Sequence, residues 1–581
     1  MKSTIILALL TLLNCGLHAQ KSKNDLITPF EKDKNYSASY EETIDWYQKL
    51  DEATDMVQMR PTGMTDAGIP LHEIIIASNR DFTPESAVKS DKLVLLINNG
   101  IHPGEPCGID ASMIFARDII NEPAILKNVI IVIIPFYNIG GGMKRGSFSR
   151  ANQNGPQLYG FRGNSRNLDL NRDFIKCDAE DSKTFTRLFN KWNPDILVDT
   201  HTSNGADYSY TMTLIATHRD KLGAAMRNYL TKRLLPDVYT KMQSSGWDMI
   251  PYVHSYGVPD KGIYGFLDLP RYSSGYASLH HTFSFMPETH MLKPYKDRVF
   301  STLALIHNMA KHAAENKKAI KQARSEDIAA QLNADSVTLM YAVDESKFDS
   351  LLFRGYESGY KPSMIHGQDR LFYDQAKPFE KKIPYFNYLK DILRVKSPDF
   401  YFIPQGYKEI IDRLKWNGVL VSKVEKDTIL KLEMYKILKY KTSERPYEGH
   451  YLHSQVDVEK VNRDVAVRKG DFIIPAAQFK KKFIVNTLEP QAPDSYFAWN
   501  FFDGVLMEKE HYSAYVFEDL AWEILESNPQ FKEKFLQKKN EEPEFAANAT
   551  AQLDYIYKNS RYYEDSAFIY PVGRGFYAGR N

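Results

Sequence analysis

Leu93-Val94-Leu95-Leu96-Ile97 and Val129-Ile130-Ile131-Val132-Ile133-Ile134 are unbroken apolar runs, each bounded by polar or turn residues. A strand with one wet face alternates, so runs of this kind mark strands buried on both faces. Ile196-Leu197-Val198, after Asn193-Pro194-Asp195, repeats the pattern, and Thr282 to Met286 is a shorter apolar and aromatic run. Helical spacing fills the gaps, as in Val299, Leu303, Ile306 and Met309 or Ala310 after Pro294. Strand alternating with helix predicts an α/β fold over residues 20–318: a mixed, mostly parallel sheet with helices on both faces.

Such a unit explains why 581 residues need not mean four domains, the count that ~150 residues per domain would give. Beyond it the character changes. Residues 319–336 read as a polar helical linker. Short β-like runs such as Thr338-Leu339-Met340-Tyr341, Phe400-Tyr401-Phe402-Ile403 and Phe472-Ile473-Ile474 predict a β-rich accessory domain over 337–500. A helical, aromatic tail is expected over 501–581. The 36 Tyr and 32 Phe suggest broad packed interfaces or a surface that handles peptide or carbohydrate.

Charge and cysteine content exclude several classes. With 74 Lys plus Arg against 73 Asp plus Glu, the chain lacks the electrostatic footprint of nucleic-acid binding. Lys2, the apolar stretch Ile5 to Leu13 and Leu17-His18-Ala19 form a signal peptide over 1–19, predicting a secreted or periplasmic protein cleaved near Ala19. Asn14 is a poor residue to precede a lipidated cysteine, which argues against an anchor at Cys15. No later stretch approaches the ~20 apolar residues of a transmembrane helix. Only Cys107 and Cys177 remain in the mature chain, as one bridge or two buried thiols, so the fold relies on its core.

The polar residues fall where the strands end. The first run leads into Asn98-Asn99-Gly100-Ile101-His102-Pro103-Gly104-Glu105, the second into Asn138-Ile139-Gly140-Gly141, the third into Asp199-Thr200-His201, and the fourth into Glu288. Open α/β sheets bind ligands outside the carboxyl ends of their strands. His102 and Glu105, three apart on a tight turn, can reach one metal together, and His201 can complete the set. Two imidazoles and a carboxylate leave a fourth position for water, the pattern of catalytic zinc. Asp169 and Asp199 are candidate acceptors for the outer imidazole nitrogens. Asn171 and Arg172 form a fork of donors suited to a carboxylate, and Arg150 could stabilise charge developing on a carbonyl oxygen; a surface ion pair is the plainer alternative for either arginine. Gly449-His450-Tyr451-Leu452-His453 has two histidines three apart but no third ligand nearby in the sequence.

His102-x-x-Glu105, Asp169-x-Asn171-Arg172, His201 and Glu288, in that order, resemble the zinc carboxypeptidase family, the M14 metallopeptidases, over roughly residues 40–318. The resemblance implies that His102, Glu105 and His201 hold one Zn2+ per chain and that Glu288 is the general base and acid. It further implies that Asn171 and Arg172 clamp the substrate's terminal carboxylate, that Arg150 polarises the scissile carbonyl, and that Asp169 orients His102. The family's mobile tyrosine should precede Glu288; Tyr272 and Tyr276 are the choices, and Tyr272, before the Ser-Ser-Gly turn, is preferred. The chain departs from the family at Asn138-Ile139-Gly140-Gly141, where a proline and an aspartate are common, and the role of Arg150 depends on that stretch.

The expected activity is therefore an exported zinc metallocarboxypeptidase acting on peptides or proteins with a free C-terminus, cell-wall peptides among them. A zinc-dependent deacylase of small N-acyl amino acids, or a metal-free relative that binds glycan or protein, are the alternatives.

Overall fold

The computed structural model describes residues 26–577, so the expected leader and Cys15 lie outside the described residues. The first part of the chain supplies strands β1 (Val57–Met64), β2 (Pro70–Ile76), β3 (Leu93–Asn98), β4 (Val129–Ile134), β5 (Ile196–Asp199), β6 (His201–Ser203), β7 (Met212–Ala216), β8 (Met249–Pro251), β9 (Ile263–Tyr264) and β10 (Phe283–His290). All but β9 build one sheet in the order β1-β2-β4-β3-β5-β10-β7-β8, with β6 paired to β10. The two unbroken apolar runs are its central strands β3 and β4, paired in parallel and buried along their whole length. Their alternate residues feed two separate cores, Leu96 and Val132 on one face, Leu95 and Ile131 on the other. Helices 107–119 and 295–315 close one of these faces and helix 180–192 the other.

The expected linker is a packed helix. Lys317–Asn333 buries Ile320, Ala323, Arg324 and Asp327. Arg324 pairs with Asp195, and Asp327 lies 2.7 Å from His281 Nδ1. Charge at these positions looks like a solvated face in sequence, yet here it is compensated inside the protein, as burial requires.

The remaining strands are β11 (Ser336–Val343), β12 (Asp349–Pro362), β13 (Asp369–Phe386), β14 (Leu389–Lys396), β15 (Phe400–Ile403), β16 (Ser422–Lys423), β17 (Thr428–Thr442), β18 (His453–Val467), β19 (Phe472–Pro475) and β20 (Gly573–Gly575). They form three sheets, and the expected boundaries do not separate them cleanly. The hairpin β12–β13 adds β9 from the first part as a third strand. β20, from the end of the expected tail, pairs with β15 and β17. Helix Lys481–Leu488 is buried along its whole length. One continuous core joins Phe185, Phe189 and Tyr276 of the first part to Phe483, Trp499 and Tyr570. Part of the aromatic content packs at this junction. Helices between 514 and 558 pack a smaller core of their own. Among the described residues, no helix is long and apolar enough to cross a membrane. Cys107 and Cys177 are buried free thiols.

Candidate metal centre and active-site cleft

The end of β3 turns at His102, where the Glu105 N–H donates to the His102 carbonyl at 2.8 Å, and the helix Cys107–Ile119 starts directly after. Gly108 lets that helix approach the β5–β6 turn: a Cβ there would lie 1.9 Å from Thr200 Oγ1. His201 opens β6 and is paired in parallel register with Glu288 on β10. Paired residues of neighbouring strands project to the same face, with ~4.8 Å between strands, so the register itself brings Glu288 beside His201. The sequence places Glu288 just past its strand; it lies within β10, which continues beyond Pro287 through its pairing with β6 and β7.

His102, Glu105 and His201 are all buried, and one ligand atom from each lies within 4.8 Å of the others. The two imidazoles are held alike. His102 Nε2 lies 2.9 Å from Asp169 Oδ1, and His201 Nε2 lies 3.0 Å from Asp199 Oδ2. Asn98 Nδ2 donates to the other Asp199 oxygen at 2.9 Å. With the outer nitrogens engaged, the Nδ1 atoms face Glu105, at 3.3 Å from His102 and 3.2 Å from His201. His102 Nδ1 is a buried nitrogen without a hydrogen-bond partner. An orphaned imidazole nitrogen beside a second imidazole and a carboxylate is the donor set of a metal site, and the residues fit one.

Charge balance in the cluster is strongly perturbed. Burial raises the Glu105 pKa, but His102 and Arg150 beside it outweigh burial and hold the carboxyl well below its usual range. His201 is pushed the opposite way: burial disfavours its cation, yet Asp199 raises its pKa well above the ordinary value. Glu288 is raised to about 7, first by burial and then by the Glu105 charge, against the lowering effect of His201 and His102. Opposed shifts among neighbouring titratable groups in a cleft are a mark of functional sites.

The cleft above the cluster has a volume of about 260 Å³ and is lined by Arg150, Arg162, Asn171, Arg172, Tyr272 and Glu288 together with the cluster itself. Arg172 stacks on the Tyr272 ring at 4.5 Å, and its Nη1 donates to the Asn171 carbonyl at 2.9 Å. Asn171 is more committed than the expected fork of donors: its Oδ1 accepts from the Ser273 N–H at 3.1 Å, tying the Arg172 strip to the Tyr272 strip. Of the two tyrosines, Tyr272 lines the cleft, whereas Tyr276 is fully buried and donates to Asn417 Oδ1 at 2.7 Å. Arg150 gives Nη1 to Glu105 at 3.0 Å, Nη2 to the Thr202 carbonyl at 3.0 Å and Nε to Gln153 at 2.6 Å.

Arg162 was not singled out from sequence. It bridges Asp169 at 2.8 Å and Glu105 at 3.3 Å, and its side chain is 44% exposed against 15% for Arg150. It sits in Gly160-Phe161-Arg162-Gly163, a loop with no periodicity, and only its spacing seven residues before Asp169 hints at the site. His450 and His453 are engaged elsewhere, at 2.7 Å from Asp178 and 3.0 Å from Asp503.

No family model matches the chain. Over 427 residues it is 20% identical to carboxypeptidase 2 of Trichophyton rubrum, covering 70% of this chain and 73% of the relative. The carboxypeptidase 2 of Trichophyton tonsurans is 20% identical over 430 residues, with 70% and 73% covered. Among solved structures, a metallo-carboxypeptidase from Burkholderia cenocepacia is 12% identical at a TM-score of 0.37, covering 48% of this chain and 70% of that one. Carboxypeptidase A from Helicoverpa armigera is 16% identical at a TM-score of 0.37, with 49% and 75% covered. The matched length in the curated relatives exceeds the stretch that builds the nine-stranded sheet, so the likeness extends beyond the motifs that carry the metal cluster. The chain is thus similar over 70% of its length to fungal carboxypeptidases, and its strand ends bring together a His-Glu-His group that fits a metal.

Proposed function

We propose that the protein is an exported zinc metallocarboxypeptidase that removes C-terminal residues from peptides. The observation that carries this reading is the buried His102-Glu105-His201 cluster opening into a cleft that also holds Glu288 and Arg172. Zinc held by His102, Glu105 and His201 would lower the pKa of a water to about 7 and polarise the scissile carbonyl. Glu288 accepts the proton of the attacking water and passes it to the leaving amine; a carboxyl poised near neutrality suits both transfers. Arg172, stacked on Tyr272 and backed by Asn171, receives the terminal carboxylate. Arg150, or the more exposed Arg162, stabilises the charge developing on the carbonyl oxygen. Asp169 and Asp199 keep the imidazoles oriented. The leader sends the protein to a periplasm or the outside.

The carboxylate role has a direct test. In the wild type, free-acid peptides should be cleaved and their C-terminally amidated counterparts hardly at all. Arg172→Ala should raise KM for free-acid peptides about 10- to 100-fold, the cost of a lost charge-assisted pair, and narrow the gap between the two substrates. Equal cleavage of amidated and free-acid peptides by the wild type contradicts the clamp.

A further inference from the structure

A turn in the second half of the chain reaches the site. At the tip of the β17–β18 hairpin, the Tyr447 N–H donates to the His450 carbonyl at 2.7 Å and the His450 N–H returns the bond to Tyr447 at 3.1 Å. The two central residues, Glu448 and Gly449, have φ of 50° and 86°. Positive φ at both places is the type I′ geometry that a right-twisted hairpin favours. Glycine adopts it freely, and asparagine or aspartate is the usual companion. Glutamate has neither advantage, so turn formation does not explain it.

Its contact does. Glu448 Oε2 accepts from the Asp169 N–H at 2.8 Å, across 279 residues of sequence. Asp169 is the residue whose Oδ1 faces His102 Nε2 and accepts from the Asn171 N–H at 2.9 Å, while Oδ2 accepts from Arg162 Nε at 2.8 Å. It also caps the short turn Leu170–Arg172. Glu448 therefore holds the backbone of the residue from which the Arg172 strip springs. The hairpin tip is itself braced: His450 Nε2 lies 2.7 Å from Asp178, and the Arg271 guanidinium sits 5.5 Å from the Tyr447 ring and 2.8 Å from Asp494.

We infer that Glu448 is a positioning residue for the substrate-carboxylate clamp, so that the β17–β18 hairpin completes the cleft by fixing Asp169 and, through it, Arg172. The clamp itself rests on the proposed carboxypeptidase reading. The backbone contact does not.

Full-length, zinc-loaded wild type, Glu448→Ala, Glu448→Gln and Glu448→Asp are compared by hydrogen exchange over residues 166–173 and by steady-state kinetics on free-acid peptides. Glutamine keeps an acceptor oxygen and should behave like the wild type. Alanine should speed exchange in this stretch about tenfold or more, as expected when a hydrogen bond to a charged acceptor is lost, with zinc content and Tm close to wild type. KM should rise about 5- to 20-fold with kcat changed less than about threefold, the split expected when ground-state binding of the carboxylate is weakened. Aspartate separates positioning from turn formation: it favours the turn but is one methylene short, so it should resemble alanine. Unchanged exchange in Glu448→Ala, or Glu448→Asp matching the wild type, overturns the inference, as does faster exchange spread over the whole chain with a lowered Tm. If the wild type removes no C-terminal residue, the carboxypeptidase reading fails, while the exchange data still decide the role of Glu448.

Discussion

Glu288→Gln is expected to lower kcat by ~10²–10⁴-fold, the range that general acid-base catalysis contributes, while zinc remains bound at the wild-type stoichiometry. The substitution is nearly isosteric and leaves the proposed ligands His102, Glu105 and His201 untouched. Its place in β10, opposite His201 on one side and Thr213 on the other, is set by backbone pairing that glutamine does not disturb. What it removes is the proposed proton acceptor, a carboxyl that burial and the neighbouring Glu105 bring to about 7. Steady-state kinetics with metal analysis of the same preparation checks this. Near-normal turnover takes Glu288 out of the mechanism.

Removing the metal should have the largest effect of all. Dialysis against a strong chelator is expected to abolish peptide cleavage to the detection limit, and addition of about one equivalent of zinc should restore it. The folded protein holds the three proposed ligands together and buried, whereas the unfolded chain does not, so loading should also raise Tm. At a free zinc concentration 100-fold above Kd the stabilisation is about 2.7 kcal/mol. Apo protein should nonetheless stay folded, because its cores lie outside the cluster and Asp169, Asp199, Arg150 and Arg162 hold the ligands in place without the ion. Full activity with less than about a tenth of an equivalent of zinc would contradict the account and favour the metal-free alternative.

The parts of the fold readable in the sequence are those whose signal is local. The β3 and β4 runs are legible because burial on both faces leaves no alternation. His102, Glu105, His201 and Glu288 are legible because an α/β sheet delivers its chemistry at strand ends, so residues far apart in sequence share one expected edge. Arg324 and Asp327 mislead for the same local reason: charge on a helix reads as solvent exposure, and their partners Asp195 and His281 lie on other elements. Arg162 gives no pattern because a loop has no period. Glu448 is the extreme case, since its partner is 279 residues away and nothing in the turn's own sequence names it. The aromatic excess follows the same logic. Phe483, Trp499 and Tyr570 find their role in a core shared with Tyr276, a fact of tertiary packing rather than of composition.

Removal of C-terminal residues by this cleft is open to direct observation. Mass spectrometry of a mixed peptide library after incubation with the zinc-loaded wild type tests it most directly, because it reports the bond cleaved, the end attacked and the preferred terminal residue together. Products shortened from the C-terminus alone, from free-acid peptides, with the N-terminus and internal bonds intact, are the expected result. Products cut internally or from the N-terminus, or an unchanged library alongside hydrolysis of small N-acyl amino acids, would contradict it.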